Sequence, residues 1–170
     1  MGAVADAARA LIVSPLLWAA PMSTVQAQIE IAAPIDRVWE TIMDPRRLGD
    51  WVTIHRSVSE ISQMPLREGS TMRQTVAVRG VSFHVQWRLA SLRAPHSAHW
   101  EGGGPARSTA VIRYELTPGP DRATLFRYTN EFHPPGGALG NVAGRVIVGG
   151  ISEREAHASL LRLKALLEGD

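Results

Sequence analysis

The stretch from Gly136 to Asp170 constrains this chain most. Between Ser152 and Leu167, Ala156, Leu160, Leu163 and Leu167 recur at helical spacing while Glu153, Arg154, Arg162 and Lys164 carry the polar surface. That pattern predicts a long amphipathic helix with one apolar face. Such a face needs a partner. Ser152 followed three residues later by Glu155 predicts a capping box, with Ile151 and Ala156 placed as the hydrophobic staple around it. Upstream, Gly136, Gly137, Gly140, Gly144, Gly149 and Gly150 interrupt an apolar segment. A first helical piece over 139–148 is expected to bend into the second. Close packing against a sheet accounts for these glycines, and a moving lid is the alternative.

At 170 residues the chain has the length of one domain, able to bury roughly two thirds of its unfolded surface in a single core. It contains no cysteine, which excludes disulfides, thiolate metal sites and a cysteine nucleophile. All but one of the 18 basic residues are Arg, yet the net charge is only +2 and no more than two of them are adjacent (Arg46, Arg47). A nucleic-acid binder concentrates such residues on one face or in one run, so none is expected as a partner. Residues 1–21 differ from the rest. The apolar run from Ala10 to Ala20 falls short of the ~20 residues a membrane span needs, and Pro15 interrupts it. One Asp and one Arg precede it in place of a basic cluster, and the nearest small-residue cleavage pattern, Val25-Gln26-Ala27, falls on the first predicted strand. Secretion is the lesser reading. The expectation is a cytoplasmic protein whose residues 1–21 form a disordered or loosely helical extension ahead of a natural start at Met22, and whose residues 22–170 form a single domain.

Val25, Ala27, Ile29 and Ile31 alternate with polar residues as a half-buried strand does. Pro34 then opens a short helix with Ile35, Val38, Trp39 and Ile42 on its apolar face, and Asp44-Pro45 stops it. Residues 46–51 read as a second short helix ending on Trp51. Beyond it, 54–63 is a candidate strand and 65–69 a turn, and Met72, Gln74, Val76 and Val78 share one face of a strand over 71–79. After a turn at Gly80, Phe83, Val85, Trp87 and Leu89 alternate with His84, Gln86 and Arg88, giving an antiparallel hairpin with one wet face. A shorter strand over 98–101, a loop at Gly102-Gly103-Gly104-Pro105, and two more alternating segments follow. Ala110, Ile112, Tyr114 and Leu116 face inward in the first of these, and Thr124, Phe126, Tyr128, Asn130 and Phe132 in the second. There is no internal repeat or low-complexity segment.

The opening strand, helix and turn, through Ile29, Ile31, Pro34, Val38, Trp39, Ile42, Asp44, Pro45 and Trp51, resemble the START-like (SRPBCC) superfamily, and within it the polyketide cyclase/dehydrase and lipid-transport branch. The order of these residues carries the resemblance, which extends over most of residues 26–168. It implies an α+β helix-grip fold: a bent antiparallel sheet wrapped around a long C-terminal helix, with two short helices after the first strand. It also implies a hydrophobic cavity between sheet and helix for a lipid, polyketide or similar small molecule. On this reading Trp51, Gln74, Phe83, Trp87, Tyr114, Phe126, Tyr128 and Asn130 are the ligand-binding candidates, apolar and aromatic walls with a few polar groups among them. A packed core is the alternative for the same residues. A buried Gln or Asn left unpaired costs about 1 to 3 kcal/mol, so these amides satisfy each other, meet water or meet a ligand. Trp51 either lines the cavity or pins the second short helix to the sheet. Trp39 is expected to be structural, and the direction of Trp100 stays open.

Chemistry is harder to place. Six histidines invite a metal reading, but His96 and His99, with two residues between them, lie in a loop with no third ligand nearby, so no metal is expected and no cofactor is implied. His133, ahead of Pro134 and Pro135, reads as the end of the last strand. No Gly-x-Ser-x-Gly turn or phosphate-binding glycine loop is present. The candidates for proton transfer are Tyr114, Tyr128 and His157. Two functions follow: a binder of a small hydrophobic molecule, or a polyketide cyclase, aromatase or dehydratase that shapes its substrate in the same cavity. An assembly or membrane-associated role through residues 1–21 is a third. Oligomeric state is left open.

Overall fold

A computed structural model describes residues 22–134 and 152–169. Strand β1 (Ser23–Ile31) buries Val25 and Ile31 and half-buries Ala27 and Ile29, following the alternation of its sequence. After Pro34, helix α1 (Ile35–Ile42) turns Val38, Thr41 and Ile42 inward. Asp44 then stops the chain: its carboxylate accepts the Arg46 backbone N–H at 3.0 Å and grips the Arg46 guanidinium at 2.8 and 2.9 Å. A 3-10 turn (Pro45–Arg47) leads into α2 (Leu48–Trp51), which buries Leu48 and Trp51.

Six strands follow: β2 (His55–Ser59), β3 (Thr71–Val78), β4 (Val81–Arg93), β5 (Ser97–Gly103), β6 (Thr109–Pro118) and β7 (Thr124–His133). With β1 they form one curled antiparallel sheet of order β1-β7-β6-β5-β4-β3-β2. Strands β2 to β7 pair in chain order. Only β1 is displaced, lying beside β7, so that α1 and α2 carry the chain from one edge of the sheet to the other. Helix α3 (Glu153–Glu168) lies against β1 and α2 and buries Ala156, Ser159, Leu160, Leu163 and Leu167. The capping box at its start is formed, with the Glu155 N–H donating to Ser152 Oγ at 3.2 Å and the Ser152 N–H donating to Glu155 Oε2 at 3.0 Å.

Helix α3 is tied down in its second turn and at its end. In the second turn, Ser159 Oγ accepts the Thr53 N–H at 3.1 Å. Near its end, Lys164 Nζ donates to the Glu30 carbonyl at 2.7 Å, and the Glu168 carboxylate accepts both Lys164 Nζ (2.6 Å) and the Ala32 N–H (2.7 Å). These bonds set the helix across the hollow of the sheet, as the helix-grip expectation required.

Two element boundaries differ from the sequence reading. The strand expected over 54–63 stops at Ser59, because Glu60 takes a left-handed backbone conformation (φ 52°). Strand β5 runs on through Gly102 and Gly103, so half of the expected glycine loop is sheet. A Cβ on Gly102 would lie 2.5 Å from the Trp87 ring; the glycine is there so that an indole can lie across the strand. The expected helical piece over 139–148, the Ile151 side of the staple and the extension over 1–21 lie outside the described residues.

Candidate ligand-binding site

Between the hollow of the sheet and α3 lies a cavity of about 1290 Å³ of atom-free space, its solvent-open mouth included. Strand parity builds most of its wall. Gln74, Phe83, Trp87, Tyr114, Tyr128 and Asn130 all project into it from β3, β4, β6 and β7, Trp51 closes it from α2, and Ala156 and Leu160 from α3. Seven of the eight residues expected at the ligand are therefore brought together. Trp100 joins them, its direction fixed by the alternation of β5, whereas Trp39 is packed against the core as a structural residue.

Phe126 is the exception. It lies two residues along β7 from Tyr128, opposite Leu116 of β6 and Ile29 of β1. Its ring meets Trp51 and Tyr114 edge-on, with centroids 6.4 and 5.4 Å away, and is 0% exposed. Trp51 and Tyr114 stand between it and the cavity, so Phe126 supports the wall from behind. His157 is not at the site either. On α3 it falls one residue past the buried Ala156, on the exposed side of the helix, which removes it as a proton carrier for the cavity.

The polar groups of the wall fall into two sets. In the first, the Trp87 indole donates to Gln74 Oε1 at 2.8 Å, and Gln74 Nε2 lies 3.0 Å from His55 Nδ1. An indole nitrogen only donates, so it fixes the Gln74 amide, and the amide in turn requires His55 to accept through Nδ1. Burial, followed by the nearby charge of Arg56, holds the His55 pKa below the ordinary value. Apolar periodicity did not point to His55. It reaches Gln74 because the β2–β3 register slips between His55 and Ser57, and a slip of this kind leaves no mark in apolar periodicity.

In the second set, Asn130 Nδ2 donates to the Tyr128 hydroxyl at 2.9 Å. Asn130 Oδ1 and Trp51 Nε1 have no hydrogen-bond partner among the described residues, although both are buried. Each such orphan costs about 1 to 3 kcal/mol. Burial pushes the Tyr128 hydroxyl up to about 12 and that of Tyr114 higher still. Both therefore stay protonated near neutrality. No Arg, Lys, Asp, Glu or His is among the described residues lining the cavity. No group of three or more His, Asp or Glu is placed to hold a metal among the described residues. No helix among them is long and apolar enough to cross a membrane.

Comparison with known proteins places this geometry. The family model for polyketide cyclase / dehydrase and lipid transport matches residues 22–168. A Mycobacterium tuberculosis protein, Toxin Rv0910, is 23% identical over 83 residues, 49% of this chain but only 58% of that protein's own length. A second M. tuberculosis protein, uncharacterized protein Rv1546, is 21% identical over 78% of this chain and 93% of its own. Among solved structures, the Zhui aromatase/cyclase from Streptomyces sp. R1128 superposes with a TM-score of 0.71 at 23% identity, covering 87% of this chain and 94% of that one.

Proposed function

This chain belongs to the polyketide cyclase / dehydrase and lipid transport family, and from that premise we propose that it binds a small, largely apolar molecule between the sheet and helix α3. The observation that carries this reading is the cavity itself: aromatic and aliphatic over most of its wall, with a buried Trp51 donor and a buried Asn130 acceptor left without partners among the described residues. A core built only for stability would be filled, and would pair its amides.

The cyclase, aromatase or dehydratase reading shares the cavity and draws on one further observation. The hydrogen-bonded Tyr128–Asn130 pair sits in the wall with both groups uncharged, suited to orienting a carbonyl. With no base among the described lining residues, that reading relies on positioning more than on proton transfer. Native mass spectrometry of the protein purified from its own host, followed by extraction, tests the binding proposal. A defined apolar molecule released unchanged is the expected result, and a cavity filled by repacked side chains in the ligand-free protein would sink it. Replacing Tyr128 by Phe separates the two readings: a binder keeps its affinity within about tenfold, one lost hydrogen bond's worth, whereas a cyclase loses turnover on a linear poly-ketone.

A further inference from the structure

The cavity's unpaired groups restrict the charge and the hydrogen-bonding character of what it accepts. Gln74 lines it, but both ends of that amide are taken by Trp87 and His55. Asn130 is different: 7% exposed, it uses its Nδ2 on the Tyr128 hydroxyl and leaves Oδ1 without a partner among the described residues. An anionic ligand could accept from the Trp51 N–H but would find no cation in the described lining to neutralise it. A cation could be accepted by Asn130 Oδ1 but would find no carboxylate there. Burying either charge unpaired is far more costly than burying a hydroxyl.

Building on the cavity-binding reading above, we infer that the ligand is an uncharged molecule bearing a hydroxyl group that donates to Asn130 Oδ1. A second acceptor oxygen on the same molecule then serves the Trp51 N–H. Asn130 is thereby a specificity-determining residue: it discriminates a hydroxyl from an ether or a hydrocarbon of the same shape, because only the hydroxyl removes the orphan.

Naphthol, methoxynaphthalene, naphthalene and naphthoate share one ring system and differ in this respect alone. Titrated calorimetrically into the full chain near neutral pH, naphthol is expected to bind about tenfold more tightly than naphthalene or methoxynaphthalene, the worth of one buried hydrogen bond. Naphthoate should be the weakest of the four. In Asn130→Leu the naphthol advantage disappears while naphthalene affinity stays within about twofold, and that retained binding shows that the variant is folded. Should methoxynaphthalene or naphthoate match naphthol, or should Asn130→Leu keep the preference, the hydroxyl inference is overturned while the cavity reading stands. If none of the four binds, the cavity reading fails and takes this inference with it.

Discussion

The amide of Gln74 can satisfy Trp87 and His55 in one orientation only, and that restriction reaches the protein's response to pH. Protonating His55 would turn its Nδ1 from acceptor to donor, facing the Gln74 NH₂. Rotating the amide to compensate would set that NH₂ against the Trp87 N–H. Desolvation and Arg56 already lower the pKa of the ring, and the fixed amide acts in the same direction. As pH falls, the unfolded chain takes up this proton first. The stability contributed by neutral His55 is thus complete above its ordinary pKa of about 6.5 and is lost as pH drops through and below that value. Urea midpoints measured between about pH 8 and pH 5 should decline more steeply in the native protein than in His55→Gln, which keeps an acceptor for Gln74 but does not titrate. Equal slopes would mean that the relay does not constrain His55. At this scale the sequence was legible as parity and no further. It set Gln74 and Asn130 on inward faces, but which partner each amide finds depends on a bulge in β2 and on a neighbour two residues away on β7, neither of which periodicity encodes.

Elements were more legible than their ends. Helix α3 announces itself by apolar spacing and by the Ser152–Glu155 pair, and both survive in the structure because they are local. Strand β5 was cut short because a run of glycines reads as loop until Trp87, fifteen residues earlier in the chain, is seen to occupy the space a Cβ would need at Gly102. The setting of α3 over the sheet was legible only through the family resemblance and not through periodicity, since it rests on bonds between residues about a hundred positions apart. One of these is Ser159 Oγ, which accepts the Thr53 N–H at 3.1 Å and donates to the Glu155 carbonyl at 3.0 Å. Ser159→Ala leaves the Thr53 N–H without that acceptor and should lower stability by about 1 to 2 kcal/mol. Leu161→Ala, on the exposed side of the same helix at 49% exposure, should change it by no more than about 0.5 kcal/mol. Urea denaturation of the two variants side by side measures the difference; equal, small losses would show that the bond between Thr53 and α3 is replaced by water.

At the scale of the whole molecule, the sheet and α3 form a frame whose stability need not depend on what the cavity holds. The buried residues Ile31, Val38, Leu89, Phe126 and Leu163 sit in the frame and not in the cavity lining. Order and parity of apolar positions suffice to specify such a frame, which is why the family resemblance could be read from the first strand and short helices, and why relatives near 20% identity superpose. The cavity is the part that pattern underdetermines, because an inward-facing residue reads the same whether it meets a neighbour or empty space. Ala110 offers a direct separation of the two. It lines the cavity from β6, between Gly102 of β5 and Phe132 of β7, so a phenyl group at this position would enter open space. Ala110→Phe should abolish the saturable fluorescence rise of Nile red, an uncharged apolar dye, while the melting temperature holds steady or climbs by a few degrees, because about 1 to 2 kcal/mol of new apolar burial is gained without displacing frame residues. A core that was already filled would respond in the opposite way, with no dye binding in the parent and a loss of about 1 to 3 kcal/mol from overpacking in the variant.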